Sequence, residues 1–262
     1  MAASTSLFTH ATNFASAVSG GVDPRTGLFT VQITLGELVG NRTLGPTIPL
    51  TLSYSPLTGT DMGLGLGVSL RLTTYDVDER LLLLSTGEQY RVEETDTKVV
   101  LLQHKLDTAH VTRDEKRNCY RIAHKSGEVE ILTGPKNAVG LKVPTALLTP
   151  AGHQLDLAWD FTTGRRPRLR EVTDRHGTLL KVAYTGQSKA TLQVLPDSKT
   201  EGYDVDLRFR NGLLGSVHHF ALGADKPLVW EFTHTEVGVR GEWGSWITGV
   251  AMPGGMRETV WY

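Results

Sequence analysis

Apolar residues recur at every second position along much of this chain, and that period restricts the fold more than any other feature. Leu155, Leu157, Trp159 and Phe161 alternate with Asp156, Ala158 and Asp160. Val205, Leu207 and Phe209 alternate with Asp206, Arg208 and Arg210, and Phe29, Val31, Ile33 and Leu35 with Thr30, Gln32 and Thr34. Successive side chains of a β-strand point to opposite faces, so each run describes a strand with one apolar and one polar face. No long stretch carries a helical period. Turn signals punctuate the runs: Asp23-Pro24-Arg25-Thr26-Gly27, Asn211-Gly212 and Met252-Pro253-Gly254-Gly255. Asn and Gly tolerate positive φ, which tight hairpins require. The pattern predicts an all-β fold of antiparallel hairpins forming a curved sheet or a partial β-cage or solenoid, with little helix.

A chain of 262 residues can bury a core without disulfide staples. Residues 1–22 contain no Lys, Arg, Asp or Glu and are rich in Ala, Ser and Thr, which predicts a flexible N-terminal tail. A first β region is expected over 23–135 and a second, hairpin-rich one over 136–262, continuous with it, with a soft boundary at Gly134-Pro135-Lys136-Asn137.

Aligning the turns of the second region exposes a repeat. Around Gly152, Gly177 and Gly255, an aliphatic residue stands five positions before the glycine (Leu147, Val172, Val250). An aromatic stands seven after it (Trp159, Tyr184, Tyr262). The expected unit is a hairpin in which the aliphatic lies on the incoming strand, the glycine makes the turn, and the aromatic caps the outgoing strand. In the first region, Ser85-Thr86-Gly87-Glu88-Gln89-Tyr90 and Lys125-Ser126-Gly127-Glu128-Val129-Glu130 read as two versions of one strand–turn–strand.

Side-chain chemistry offers little that resembles a self-contained active site. Net charge is −1 with both signs interspersed, so nucleic-acid binding has no electrostatic footprint. Arg165, Arg166, Arg168 and Arg170 read as a solvated strand face. The single cysteine, Cys119, permits no internal disulfide and reads as structural. Gly63-Leu64-Gly65-Leu66-Gly67-Val68 departs from the dinucleotide fingerprint and precedes a strand, so a bulged or bent strand is expected. His218 and His219 are neighbours that would face opposite ways, and no histidine shows metal-ligand spacing. No metal or cofactor site is expected. Asp204/Asp206, Glu128/Glu130 and Asp156/Asp160 lie on single strand faces; a hydrolase would need such carboxylates to meet across a cleft. No G-x-S-x-G elbow occurs. Asn41-Arg42-Thr43 has the spacing of a glycosylation acceptor, but with no leader it is not expected to be modified. Trp243 and Trp246, in Trp243-Gly244-Ser245-Trp246, could stack on a sugar ring or plug the core edge. There is no cationic leader and no apolar run long enough to span a membrane, so the expected location is cytoplasmic before export by a route without a cleaved signal peptide.

The N-terminal third carries a resemblance. Val22-Asp23-Pro24-Arg25-Thr26-Gly27-Leu28-Phe29-Thr30 resembles the opening motif of Rhs/YD-repeat proteins, and Gly45-Pro46-Thr47-Ile48-Pro49-Leu50-Thr51-Leu52-Ser53-Tyr54-Ser55-Pro56 is similar to the segment that follows it. Gly63 to Leu70 and Leu84-Ser85-Thr86-Gly87-Glu88-Gln89-Tyr90-Arg91-Val92 continue the match, and the units at 152/159, 177/184 and 255/262 look like diverged YD repeats. The resemblance implies a β-strand shell that encloses a toxic cargo and serves bacterial competition or virulence. It implies structural roles for Asp23, Pro24 and Gly27 in the opening turn. The family's C-terminal self-cleavage region and toxin domain are missing from these 262 residues, so an N-terminal piece, a truncated product or one part of a split shell is expected. Its expected partners are another shell chain or a toxin cargo, and in the alternative a surface glycan, with no nucleic acid and no membrane span. The expected function is therefore a non-catalytic shell segment, the alternatives being a carbohydrate-binding β module and a hydrolase using strand-borne carboxylates.

Overall fold

Alternation becomes strand throughout the computed structural model, which describes residues 18–22, 27–95, 98–102, 108–135, 140–162, 166–221, 223–239 and 242–262. Three groups of strands arise in chain order. The first is a four-stranded sheet of β1 (Val18–Val22), β2 (Phe29–Val39), β3 (Thr47–Tyr54) and β4 (Val68–Leu70), paired in that order. The second is a roll of β5 (Thr74–Asp76), β6 (Leu81–Leu83), β7 (Gln89–Glu94), β8 (Val99–Leu101), β9 (Ala109–Asp114), β10 (Cys119–His124), β11 (Val129–Thr133) and β12 (Leu141–Leu148). The third is a meander of β13 (Gln154–Asp160), β14 (Arg168–Asp174), β15 (Gly177–Thr185), β16 (Lys189–Val194), β17 (Tyr203–Arg210), β18 (Leu213–Phe220), β19 (Leu228–Val239), β20 (Glu242–Ala251) and β21 (Arg257–Thr259). Every pairing is antiparallel, and no helix occurs among the described residues. The fold is thus all-β with a large curved sheet, as the alternation predicts.

The strand β12 joins the second group to the third. Along one edge Val143, Pro144 and Ala146–Leu148 pair with β11. Along the other edge Leu141 and Lys142 pair with β5, while Ala146–Leu148 pair with β13. The β5 contact brings the roll back on itself; β8 and β9 lie side by side at its seam without a residue register among the described residues. The meander stays open, since β21 pairs with β20 and shares no register with β5 among the described residues. Bulges at Ala158/Trp159, Val172/Thr173, Arg208/Phe209 and Thr233/His234 add local twist, the means by which such a sheet curves.

Two cores follow. The inward residues of the four-stranded sheet, among them Ile33, Leu50 and Leu52, meet Leu155, Leu180, Leu192, Leu207 and Ile247 of the meander. Those five meander side chains are fully buried, and each contributes roughly 2 kcal/mol by leaving water. The smaller core fills the roll with Tyr75, Leu82, Val92, Val111, Tyr120, Ile122 and Leu132. One end of the roll is closed by Glu94, which accepts hydrogen bonds from the hydroxyls of Tyr75 and Tyr120 and pairs with Arg113 at 2.8 Å.

Two expectations need correction. Val18–Val22, expected within a flexible tail, form β1 and pair with Val22↔Phe29 through Val18↔Ile33, because β2 offers them an otherwise open edge. The expected boundary near Gly134 falls between two strands of the roll; the change of architecture comes at β12, where one edge passes from β5 to β13. Residues 23–26, including Asp23 and Pro24, and residues 136–139 lie outside the described residues. Gly27, at the close of the opening turn, has φ +70°.

Candidate functional site

The repeated hairpins have a specific internal construction. Gly152 has φ +82° in the turn joining β12 to β13, where Thr149 and His153 exchange the closing bonds. Gly177 opens β15 and donates its N–H to Asp174. Gly255 has φ +91° in the turn between β20 and β21. The aromatic of each of the first two units then reaches back across the sheet. Trp159 Nε1 donates to the Pro144 carbonyl at 2.7 Å, and the Tyr184 hydroxyl donates to the Leu169 carbonyl at 3.0 Å. In both, the donor stands seven residues after the turn glycine and the acceptor eight before it. A sequence repeat in which even the side-chain-to-backbone bond recurs is a repeat of structure. The third unit keeps the turn and changes the cap: the Tyr262 hydroxyl accepts the Phe29 N–H at 3.0 Å. The neighbouring position is filled by Tyr54 from β3, whose hydroxyl accepts the Ile247 N–H at 3.0 Å. Burial pushes the Tyr54 phenol up to about 12, so it stays protonated.

Loops of the four-stranded sheet are fastened to this hairpin framework. Asn41, Arg42 and Thr43 all adopt positive φ, and the buried Asn41 donates its N–H to Asp174 and its side-chain amide to the Gln154 carbonyl. Asp174 also accepts from the N–H groups of His176 and Gly177. Burial opposes the charge of Asp174, but these three backbone donors outweigh it and hold the carboxyl below its ordinary range. The Asn41 amide is thus committed inside the fold. Gly63, Gly65 and Gly67 have φ of +93°, +97° and +79°, and the N–H groups of Gly63 and Gly65 converge on the Asp61 carboxylate at 2.6 and 3.1 Å. This glycine series is an anion nest whose anion is the chain's own Asp61.

Beside this nest lies a groove of about 570 Å³ between the roll and the meander, lined by Leu57, Leu70, Leu81, Trp159, Arg166 and Tyr184, among others. Arg168, expected on a solvated face, instead lies over the Tyr184 ring with its guanidinium carbon 5.3 Å from the centroid. A second groove, of about 470 Å³, runs beside β19–β21 and is lined by Thr233, Thr235, Thr248, Arg257, Trp261 and Tyr262. Trp246 packs edge-on against Tyr262 with centroids 5.3 Å apart, while Trp261 is 92 % exposed. The Trp243 side chain lies outside the described residues.

The strand-borne carboxylates are divided. Asp206 is buried, bonds Thr191 Oγ1 at 2.8 Å and pairs with Lys189 at 2.9 Å. Asp204 is exposed at the cross-strand position opposite Phe220. Ser216 Oγ lies 3.0 Å from His218 Nε2, a pair invisible in sequence, and Asp206 faces His218 across β17–β18. Asp206 is engaged with Thr191 and Lys189 instead of orienting the imidazole. His219 turns the other way and packs on Tyr203 at 4.8 Å. Among the described residues no group of three His, Cys, Asp or Glu side chains is placed to hold a metal ion, and no helix is long and apolar enough to cross a membrane.

No protein-family model matches the chain. No curated protein matches it either. Among solved structures, the chain is similar to the crystal structure of TcdB2-TccC3 at 12 % identity and a TM-score of 0.44, over 92 % of this chain and 16 % of that one. It is also similar to a porin-like protein from Bacteroides uniformis at 11 % identity and a TM-score of 0.38, over 84 % of this chain and 86 % of the other.

Proposed function

We propose that this chain is a non-catalytic wall segment of an Rhs/YD-repeat shell, which encloses or helps deliver a toxin cargo in bacterial competition or virulence. The observation that carries the reading is the hairpin unit whose aromatic donates to the carbonyl fifteen residues earlier, at Trp159 and again at Tyr184. Such a unit can be repeated strand after strand, and its bulges curve the growing sheet. In this segment the inner face is covered by the chain's own four-stranded sheet, so its place in the wall is an end that seals rather than a stretch that lines a lumen. The exposed strand β21 (Arg257–Thr259) offers the edge on which the next wall strand would add. The test is hydrogen exchange of the Arg257–Thr259 amides, with and without a second chain built of Rhs/YD repeats. Protection of that edge on mixing is expected. Unchanged exchange together with no complex on gel filtration would refute the reading.

A second reading, a carbohydrate-binding module, is favoured by one observation: the threonine-lined groove beside the exposed Trp261. A glycan array with the wild type and Trp261→Ala decides it. Binding that is lost in the variant supports the reading, and no binding by either protein removes it.

A further inference from the structure

The two related strand–turn–strand segments of the first region come together at one mouth of the roll. Gly87 and Gly127 occupy equivalent turns with φ of +96° and +87°. In each, the hydroxyl before the glycine donates to the glutamate after it: Thr86 Oγ1 to Glu88 at 3.3 Å and Ser126 Oγ to Glu128 at 3.2 Å. Both turns line a cavity of about 370 Å³ between the roll and the start of β3 at Pro46–Pro49. Its walls are largely apolar, from Pro46, Ile48, Leu72, Leu147 and Leu148.

Deeper in the cavity lies Glu130, whose side chain is 9 % exposed. Its Oε1 takes two bonds, from Thr73 Oγ1 at 2.9 Å and with His124 Nε2 at 2.6 Å. Its Oε2 takes no hydrogen bond from a described residue. Of the basic groups nearby, the Arg71 guanidinium donates to the Thr86 carbonyl at 3.0 Å, and Lys125 is exposed. The field at this mouth favours positive charge. The hydrogen bond to Glu130 raises the His124 imidazole above its ordinary value despite burial, and Glu128 and Glu88 add to the effect.

We propose that this cavity binds the basic side chain of a peptide, a lysine or arginine, with the alkyl stem along the Pro46–Leu147 wall and the charged head against Glu130, Glu88 and Glu128. An apolar shaft ending in several donors matches an apolar wall ending in carboxylates. A neutral apolar side chain would leave Glu130 Oε2 without a partner, and an acidic one would be repelled. The proposal stands apart from the shell reading, since it concerns a site on the roll that any assembly would present.

The test titrates the full chain with Nα-acetyl-lysine methylamide and Nα-acetyl-arginine methylamide. The norleucine and glutamate amides serve as controls, and the His124 imidazole and Glu130 carboxyl signals are followed by NMR. Saturable binding of at least one basic probe is expected, with no saturation by either control. Glu88→Gln/Glu128→Gln, which alters exposed turn residues only, should weaken it by about tenfold or more with an unchanged melting temperature. Glu130→Gln should abolish it, and the turn variant alone decides the outcome should Glu130→Gln fail to fold. Equal binding of the norleucine amide, no saturable binding of either basic probe, or full binding by the turn variant would overturn the proposal.

Discussion

If the aromatic caps are a repeated structural device, removing their polar contacts should cost the first two units comparable amounts and the third much less. Tyr184→Phe deletes one atom and one hydrogen bond, the 3.0 Å contact to the Leu169 carbonyl. The residue is half-buried, with its phenol pushed well above its ordinary range by desolvation. Loss of such a bond costs about 1 kcal/mol, and up to about 3 kcal/mol if the carbonyl finds no water. Trp159→Phe removes the 2.7 Å bond to Pro144 and part of the indole, so a cavity contribution brings the expected cost to about 2–3 kcal/mol. Tyr262 is 47 % exposed, and water can replace its hydroxyl as the acceptor for Phe29 N–H, so Tyr262→Phe should cost less than about 0.5 kcal/mol. Urea unfolding followed by far-UV circular dichroism avoids the fluorescence change caused by losing an indole. At this chain length each kcal/mol lowers the melting temperature by roughly 2–4 °C. Losses within error of zero for both Trp159→Phe and Tyr184→Phe, or a larger loss for Tyr262→Phe, would refute the repeat as a unit of stability.

Gly63→Ala should destabilise by more than about 2 kcal/mol, because its φ is +93° and an added Cβ would lie 2.7 Å from the Tyr184 ring; equal urea midpoints would contradict this. Leu180→Ala, at a fully buried position between the two sheets, should cost about 3 kcal/mol, while the exposed Leu57→Ala should fall within about 0.5 kcal/mol of the wild type, both read by the same unfolding curves. His124 has a raised folded-state pKa, so its pair with Glu130 stabilises fully below the unfolded value near ~6.5 and loses that contribution as pH rises through the folded value. The stability gap between wild type and His124→Gln, about 1.5–3 kcal/mol in mild acid, should therefore narrow toward pH ~9; a constant gap would show that the imidazolium contributes nothing. Cys119 is buried and its thiol is pushed up, first by burial and then by Asp114, so a thiol reagent should label it slowly in native buffer and rapidly in urea; fast native labelling would place it on the surface.

Local sequence carried the strands and turns because both depend on neighbouring residues alone. The alternation at Leu155–Trp159, Val205–Phe209 and Phe29–Leu35 appears as β13, β17 and β2, and Asn211-Gly212 appears as the turn between β17 and β18 with both residues at positive φ. What remained hidden depends on partners far along the chain. Nothing near Val18 announces a strand, since its partner Ile33 supplies the edge. The glycine series at 63–67 shows its bend but not its anion, because Asp61 closes the nest only once the backbone has turned. Asn41 looks like a surface sequon until Asp174 and Gln154 claim it from more than a hundred residues away. The roll mouth was half legible: the twin turns stand out as a pair, but their convergence on Glu130 and His124 requires β12 to fold back onto β5.

That divided edge of β12 has a mechanical consequence. A single strand carries backbone bonds to the roll and to the meander at once, so the two bodies have no linker about which to swivel. Tension applied along the meander would reach the roll as shear through a continuous ladder, and the roll could be torn free only by breaking main-chain bonds in a single cooperative step.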